Sequence, residues 1–111
     1  MNKRAKKNLI GLIHNSKSVC ISIIEFTEFL KDKNLQQLLD PTTDIKILRS
    51  GLYGMVGTTK IFVSKIVQPG HIQVSELEEP DPKSKVGWSI QFDLNSTKKE
   101  LNRLMDLIAF W

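Results

Sequence analysis

The stretch IKILRSGLYGMVGTTKIFVSKIVQPGHIQV, residues 45–74, decides the fold that the sequence predicts. Its apolar side chains fall at near-alternate positions, which is typical of β-strands, and they divide the stretch into three short strands. In chain order, the residues that mark these strands are Ile45, Ile47 and Leu52, then Ile61, Val63 and Ile66, then Ile72 and Val74. The stretch therefore predicts the centre of a small β-sheet.

The connections between these strands carry residues that favour turns. Gly51, Gly54 and Gly57 recur at every third position, and glycine adopts positive φ angles or bulges without a steric cost. Pro69 and Gly70 form a turn dipeptide, because proline fixes one corner and glycine supplies the left-handed residue of the next. A phosphate-binding loop is disfavoured, since a β-branched and aromatic run follows the glycines where a helix is needed. We expect these five residues to form structural turns.

Helices and one strand are predicted in the N-terminal half. Residues 3–13 combine a basic run with apolar side chains, as in an amphipathic helix, and a short strand at 19–21 follows. Ser22 and Glu25 have the spacing of a capping box, which begins a helix. A further apolar helical turn, at 35–39, ends before a proline. The helix that begins at the capping box is predicted to place four apolar side chains on one face: Ile23, Phe26, Phe29 and Leu30.

The C-terminal half begins with ELEEPDPKSK at 76–85, an exposed acidic loop whose prolines exclude a central strand. Apolar and polar side chains then alternate without a break over 86–94, which predicts the clearest strand of the chain. Thr97 and Glu100 repeat the capping-box spacing before a terminal amphipathic helix. The sequence as a whole predicts one α+β domain over 1–111, a small, mostly antiparallel sheet of four or five strands with two or three helices packed on one face.

Cysteine content and hydropathy exclude several classes of protein. Cys20 is the single cysteine, which rules out an intrachain disulfide and a thiolate zinc cluster. The apolar patch at 9–13 is too short to span a membrane, and no convincing signal peptide is present. We therefore expect a soluble intracellular protein, neither secreted nor bound to a membrane.

Residues that carry catalysis are scattered along the chain. His14 and His71 are isolated in sequence, and neither belongs to a motif with metal-ligand spacing. Ser64 lacks the glycines of a nucleophile elbow. The carboxylates of the 76–85 loop resemble solvated side chains more than a pair held in an apolar cleft. We expect no enzyme activity, no bound metal and no cofactor.

The two ends of the chain provide candidate contact residues. The net charge is +4, and part of it comes from a basic segment, 1–8, that contains Lys3, Arg4, Lys6 and Lys7. Such a run contacts phosphates in nucleic-acid-binding proteins, although no aromatic residue interleaves with it to stack on bases. Nucleic-acid binding by a small basic protein is therefore one of two candidate functions, and the other is described below. At the other end, Phe110 and Trp111 are candidate interface residues that either pack on the sheet or contact a partner.

The order of the elements resembles a region of the major capsid proteins of tailed bacteriophages. The resemblance covers 19–75, and more loosely 86–94, through a strand, a helix, a glycine-rich strand pair, an apolar strand that ends in serine, and a proline-containing turn. The residues that fit this pattern are Leu48, Gly51, Gly54, Ile61, Val63, Ser64, Val67, Pro69 and Gly70. In that family the region builds much of the axial domain, so the resemblance implies a structural module without catalytic residues.

The resemblance also implies the kind of partner. Protein contacts are expected, with capsid subunits during assembly, within a virion, or by ring-like self-association. One departure concerns a glycine that commonly precedes the second strand in the family, because here Gly57 is followed by Thr58 and Thr59. Major capsid proteins are also much longer, so the resemblance implies an isolated axial-domain-like module.

Overall fold

The computed structural model describes residues 1–108, with side chains for residues 1–103. The described residues form an α+β fold with five helices and six strands. In chain order these are α1 (Lys3–His14), β1 (Ser18–Ile21), α2 (Ile23–Lys31), α3 (Lys33–Leu38), β2 (Leu39–Pro41), α4 (Ile45–Arg49), β3 (Leu52–Val56), β4 (Thr59–Val63), β5 (His71–Ser75), β6 (Phe92–Asp93) and α5 (Lys98–Ile108). Phe110 and Trp111, the candidate interface, lie outside the described residues.

The six strands form a single sheet in the order β2-β3-β4-β1-β5-β6. Four of the five neighbouring pairs are antiparallel, and β1 with β4 is the parallel pair. The sheet is thus mostly antiparallel, as predicted, but it has six strands where four or five were expected. The additional strand is β2, a short edge strand at a place where the sequence predicted the end of a helical turn.

One face of the sheet packs against the helices. Val19 and Ile21 of β1 point to this face, because alternate residues of a strand share a side of the sheet. Leu9 of α1 and Phe29 of α2 pack on them and are almost fully buried. Leu35 of α3 and Leu101 of α5 extend the same core. The predicted helices at 3–13, at the capping box and, as far as Ile108, at the C-terminal end are therefore confirmed.

The other face of the sheet is covered by the chain itself, in a covering segment at 76–91. Cys20 and Phe62 point to this face, and Trp88 packs on Phe62 with the two rings edge to face and their centroids 5.8 Å apart. The indole Nε1 donates to the Asp81 carbonyl at 2.9 Å. Pro80 and Pro82 are buried, so the predicted exposed loop at 76–85 is only partly exposed. Its prolines instead fix it against the sheet.

The first predicted strand, at Ile45 and Ile47, was wrong, because this segment is helix α4. The Asp44 side chain caps the helix and accepts a hydrogen bond from the Lys46 amide at 2.8 Å. Ile45 and Ile47 are both exposed, so their alternation does not reflect a buried strand face. The strand begins only at Leu52, after the turn that ends α4.

The predicted strand at 86–94 was also largely wrong, since only Phe92 and Asp93 pair with β5. Gly87 has a positive φ of 83°, which turns the chain before the sheet edge. The Ser89 amide donates to the Val74 carbonyl at 2.9 Å, but the Val74 amide donates to the Ser89 hydroxyl at 2.9 Å, so a side chain replaces the backbone acceptor in one of these two bonds. Trp88, Phe92 and Leu94 are buried as the alternation indicated, whereas Val86 and Ile90 are exposed.

Three smaller corrections concern single residues. Ile23 and Leu30 are exposed on α2, so the apolar face of that helix consists of Phe26 and Phe29 alone among the four predicted residues. Ile66 lies beyond the end of β4 and is exposed. Leu39 leaves the helix one residue earlier than predicted and begins the edge strand β2.

The turn glycines have two different roles. Gly51, Gly57 and Gly70 have positive φ angles of 96°, 62° and 79°, as predicted for left-handed turn positions. Gly54 does not have a positive φ, and it lies at a register shift within the β3–β4 pair. A Cβ atom at Gly54 would lie 2.9 Å from the Asp40 carbonyl oxygen, which belongs to the neighbouring strand β2. Gly54 therefore permits the close approach of the edge strand.

The covering segment gives a first prediction. Trp88→Ala should lower the free energy of unfolding by about 3–5 kcal/mol, because it removes a buried aromatic ring and leaves a cavity. Val86→Ala, two residues away at a side chain that is 80% exposed, should change it by less than about 0.5 kcal/mol. Urea unfolding followed by far-ultraviolet circular dichroism measures both. Equal stability of the two variants would show that the second face does not need its cover.

Two glycine substitutions of opposite sign give a second prediction. Gly54→Ala should destabilise the fold by about 1–3 kcal/mol, since the added methyl group meets the backbone of β2. Gly11→Ala should stabilise it by about 0.5–1 kcal/mol, because Gly11 is inside α1 and a Cβ atom there would meet no other atom within 4 Å. Thermal unfolding of both variants tests this pair. A stabilising effect of Gly54→Ala would contradict the close approach described above.

Candidate functional site

An open groove lies where the two parallel strands end. Ile21 is the last residue of β1 and pairs with Val63, the last residue of β4, so both strands stop at the same edge of the sheet. The chain then leaves β1 into α2 and leaves β4 into the loop 64–70. Because these two exits diverge, they leave a groove of about 780 Å³ between them. Crevices at the carboxyl ends of parallel strands are frequent ligand sites in α/β sheets.

The groove has a floor from the sheet and walls from four other parts of the chain. Tyr53 and Val63 line it from β3 and β4, and the Tyr53 ring packs edge to face against Phe26, with centroids 5.3 Å apart. The walls come from the first turn of α2, the end of α4 with the residues that follow it, the loop after β4, and the covering segment. Their lining residues are Ser22, Ile23, Ile24, Leu48, Arg49, Ser50, Gly51, Ser64, Lys65, Ile66, Val67, Pro69, Pro82 and Lys83.

Glu25 fixes the end of the groove at which α2 begins. The Ser22 hydroxyl accepts a hydrogen bond from the Glu25 amide at 3.4 Å and donates one to the Glu25 carboxylate. The same carboxylate accepts a hydrogen bond from the Gly70 amide at 2.6 Å. The predicted capping box therefore forms only in part, because this carboxylate bonds the Ser22 hydroxyl and the Gly70 amide. Buried Glu25 thus joins α2 to the Pro69–Gly70 turn and holds the two walls in place.

Isoleucine side chains make the rim of the groove apolar. Ile23 and Ile24 are exposed on the first turn of α2, and Ile66 is exposed on the opposite wall. Ile24 is 50% exposed although it is one of the most apolar side chains of the chain. Clustered exposed isoleucines beside a concave surface are typical of a binding site for another apolar group.

The charged side chains that line the groove have one sign. Arg49, Lys65 and Lys83 line it from three different segments, and their side chains are exposed. Among the described lining residues there is no aspartate or glutamate. The groove therefore combines an apolar rim with three lining cations, which favours a partner that is both apolar and negatively charged.

Several residues that the sequence singled out lie at this groove. Gly51, Ser64 and Pro69 line it. Gly54 lies on β3 and Gly57 lies in the turn between β3 and β4, and neither lines the groove. The turns predicted as purely structural thus also shape a surface. Five other residues that line the groove were not identified from the sequence patterns: Ile23, Ile24, Arg49, Lys65 and Lys83.

One signal for the groove was present in the sequence. Ile24 is two residues before Phe26, and at 100° per residue their side chains point about 160° apart on a helix. An isoleucine on the face opposite a buried phenylalanine indicates an exposed apolar group. The cations had no comparable signal, because Arg49, Lys65 and Lys83 are separated by many residues and only the fold brings them together.

The basic segment at 1–8 lies mostly on α1. Lys3, Arg4 and Lys7 are exposed, while the Lys6 ammonium group forms an ion pair with the Asp32 carboxylate at 2.8 Å. In this ion pair the Lys6 ammonium group donates a hydrogen bond to the carboxylate, and this bond, together with one from the Leu35 backbone amide, lowers the pKa of Asp32. Lys6 is therefore committed to a contact within the chain, and the other three cations of the predicted set remain exposed.

The remaining candidate residues do not form a reactive cluster. Burial raises the pKa of the Cys20 thiol to about 12, so its nucleophilic thiolate form is suppressed. Within residues 1–103, no group of three histidine, cysteine, aspartate or glutamate side chains is placed to hold a metal ion. Among the described residues, every helix is too short or too polar to cross a membrane.

Comparisons with known proteins add no relative. The chain matches no protein-family model, and searches of curated proteins and of solved structures find no match. The resemblance to capsid proteins therefore stays a prediction from the sequence, and the function has to be inferred from the groove.

Proposed function

We propose that this protein is a non-catalytic interaction module that binds a segment of a partner protein in the groove between α2 and the loop after β4. The observation that carries this proposal is the combination of exposed isoleucines with three cations and no carboxylate among the described lining residues. Burial of apolar area on binding contributes roughly 25 cal/mol per Å². Complementary charge adds specificity and faster association.

The shape of the groove supports a protein segment as the ligand. It is open along the edge of the sheet, and its apolar side chains project from its rim, where a segment crossing the surface contacts them. Its three cations lie on separate walls. An extended chain with several carboxylates can therefore contact all of them more readily than a single compact anion can. Backbone groups at the ends of β1 and β4 also lie beside the groove.

The resemblance to capsid proteins suggests which partners to test first. A capsid subunit or a second copy of this chain is the expected partner, within a virion or during assembly. Gly51, Ser64 and Pro69 belong both to the pattern that carries the resemblance and to the lining of the groove. The capsid assignment is a proposal that depends on the sequence pattern, whereas the groove stands independently of it.

Selection from a random peptide library tests the groove as a protein-binding surface. Peptides selected on the wild-type protein should combine apolar with acidic residues. Their affinity should fall by at least about tenfold for Ile24→Glu and for Arg49→Glu, because these changes remove apolar contact and reverse a groove charge. Fluorescence anisotropy with a labelled selected peptide measures the change.

The matched control is Leu38→Glu. Leu38 is 46% exposed, close to the exposure of Ile24, and it lies on α3, beyond the far end of α2. This variant should bind the selected peptides as the wild-type protein does. Selected peptides that bind Ile24→Glu and Arg49→Glu at full strength would place the binding surface elsewhere and refute the proposed function.

A second candidate function is nucleic-acid binding through α1. Lys3, Arg4 and Lys7 are exposed on this helix, and its sequence KRAKKNLIGLIH contains no acidic residue. The ion pair between Lys6 and Asp32 leaves three cations for phosphate contacts. The absence of an aromatic side chain in this helix makes backbone contact the expected mode.

Salt dependence tests this second candidate. If three phosphates are contacted, the logarithm of the binding constant for labelled duplex DNA should fall with the logarithm of salt concentration with a slope of about −2.7. The triple substitution Lys3→Ala, Arg4→Ala and Lys7→Ala should abolish binding, while Lys65→Ala should leave it unchanged. Binding that survives the triple substitution would remove α1 from this function.

A further inference from the structure

A second charged surface lies on the covering segment, at residues 76–81, ELEEPD, called here the acidic segment. Its four carboxylates, Glu76, Glu78, Glu79 and Asp81, are exposed, and no cation lies between them in sequence. Leu77, its second residue, is 50% exposed. The acidic segment therefore has the composition that the groove favours, an apolar side chain flanked by negative charges.

We propose that the groove of one copy of this protein binds the acidic segment of a second copy. This inference rests on the proposed function, and it names the partner of the same groove. Charge complementarity supports it, because three cations face the groove of one copy and four carboxylates are exposed on the segment of the other. One of the four, Glu79, also forms an ion pair with Lys60 of its own chain at 3.6 Å, but its side chain stays 87% exposed. Leu77 supplies the apolar group that contacts the exposed isoleucines of the rim.

The acidic segment is held outside its own groove. Pro80 and Pro82 are buried at its C-terminal end, and the Trp88 indole donates to the Asp81 carbonyl at 2.9 Å. Gly51 lies so close that a Cβ atom there would be 2.9 Å from Cγ of Pro82. On the N-terminal side, the Leu77 carbonyl accepts a hydrogen bond from the Ser18 hydroxyl at 3.0 Å. With both ends fixed to the sheet, the acidic segment faces outward and only another molecule can receive it.

The position of the two surfaces favours a symmetric dimer. Pro82 and Lys83 line the groove and directly follow the acidic segment, so the two complementary surfaces adjoin on one molecule. A twofold axis between them brings each acidic segment to the groove of the other copy at the same time. Such an isologous contact closes on itself and leaves neither surface unpaired.

Charge reversal across the contact tests this inference. Light scattering over a concentration series at low salt should show the wild-type protein forming a dimer. Lys65→Glu in the groove and Glu78→Lys in the acidic segment should each raise the dimer dissociation constant by at least about tenfold, because each change places like charges opposite one another. The double variant with both substitutions should recover most of the affinity, since the two charges are then exchanged.

Two control variants carry the same changes of charge elsewhere. Lys7→Glu on α1 and Glu100→Lys on α5 alter exposed side chains and change the net charge by the same amounts. Both should dimerise as the wild-type protein does. A dimer that Lys65→Glu and Glu78→Lys do not weaken, or that the control variants weaken equally, would overturn the inference.

A labelled peptide of residues 74–82, VSELEEPDP, separates this inference from the proposed function. Binding of the peptide that Lys65→Glu weakens, together with a wild-type dimer that the same variant weakens, supports both. A wild-type protein that stays monomeric at every concentration overturns the inference, and the proposed function then stands if library peptides still bind at the groove. Failure of dimerisation, of this peptide and of the library selection would overturn both.

Discussion

The parallel pairing of β1 with β4 is the constraint on which the rest of the structure depends. Ser18–Ile21 is the first strand in chain order, and Thr59–Val63 joins it after an excursion through two helices, an edge strand, a third helix and β3. The parallel direction makes both strands end at one edge of the sheet. Because the chain must leave that edge in two directions, a groove opens between α2 and the loop after β4. If β4 ran antiparallel to β1, the turn that joins β3 to β4 would lie at this end of the sheet and would occupy the opening.

The two faces of the sheet are covered by different parts of the chain, and this difference determines where the acidic side chains and Lys83 lie. Helices bury the face that carries Val19 and Ile21, whereas the covering segment buries the face that carries Cys20 and Phe62. The covering segment has few apolar residues, so it is fixed at separate points by Trp88 and by two buried prolines. Its acidic side chains point to solvent as a result. The same segment delivers Lys83 to the groove and presents carboxylates beside it.

The sequence predicts the helices well because capping and periodicity are local signals. Ser22 and Thr97 accept hydrogen bonds from the amides three residues later, as their spacing predicted. It predicts Ile45 and Ile47 wrongly because two alternating isoleucines are too short a signal to outweigh the helix cap at Asp44. The 86–94 strand fails because a positive φ at Gly87 and the Ser89 hydroxyl interrupt the ladder, which alternation cannot reveal. The groove could not be predicted from the sequence, because its cations come from three segments that only the parallel pairing brings together.

The central claim is that the groove at the ends of β1 and β4 is the binding surface of this protein. Isoleucine methyl spectra tell it apart from other surfaces, because Ile23, Ile24 and Ile66 line the groove while Ile10 lies on α1. The measurement is a series of these spectra from dilute to concentrated protein, repeated with a peptide selected on the wild-type protein. We predict that the three groove methyl signals shift and that the Ile10 signal does not. Shifts at Ile10 with unchanged groove signals would contradict the claim.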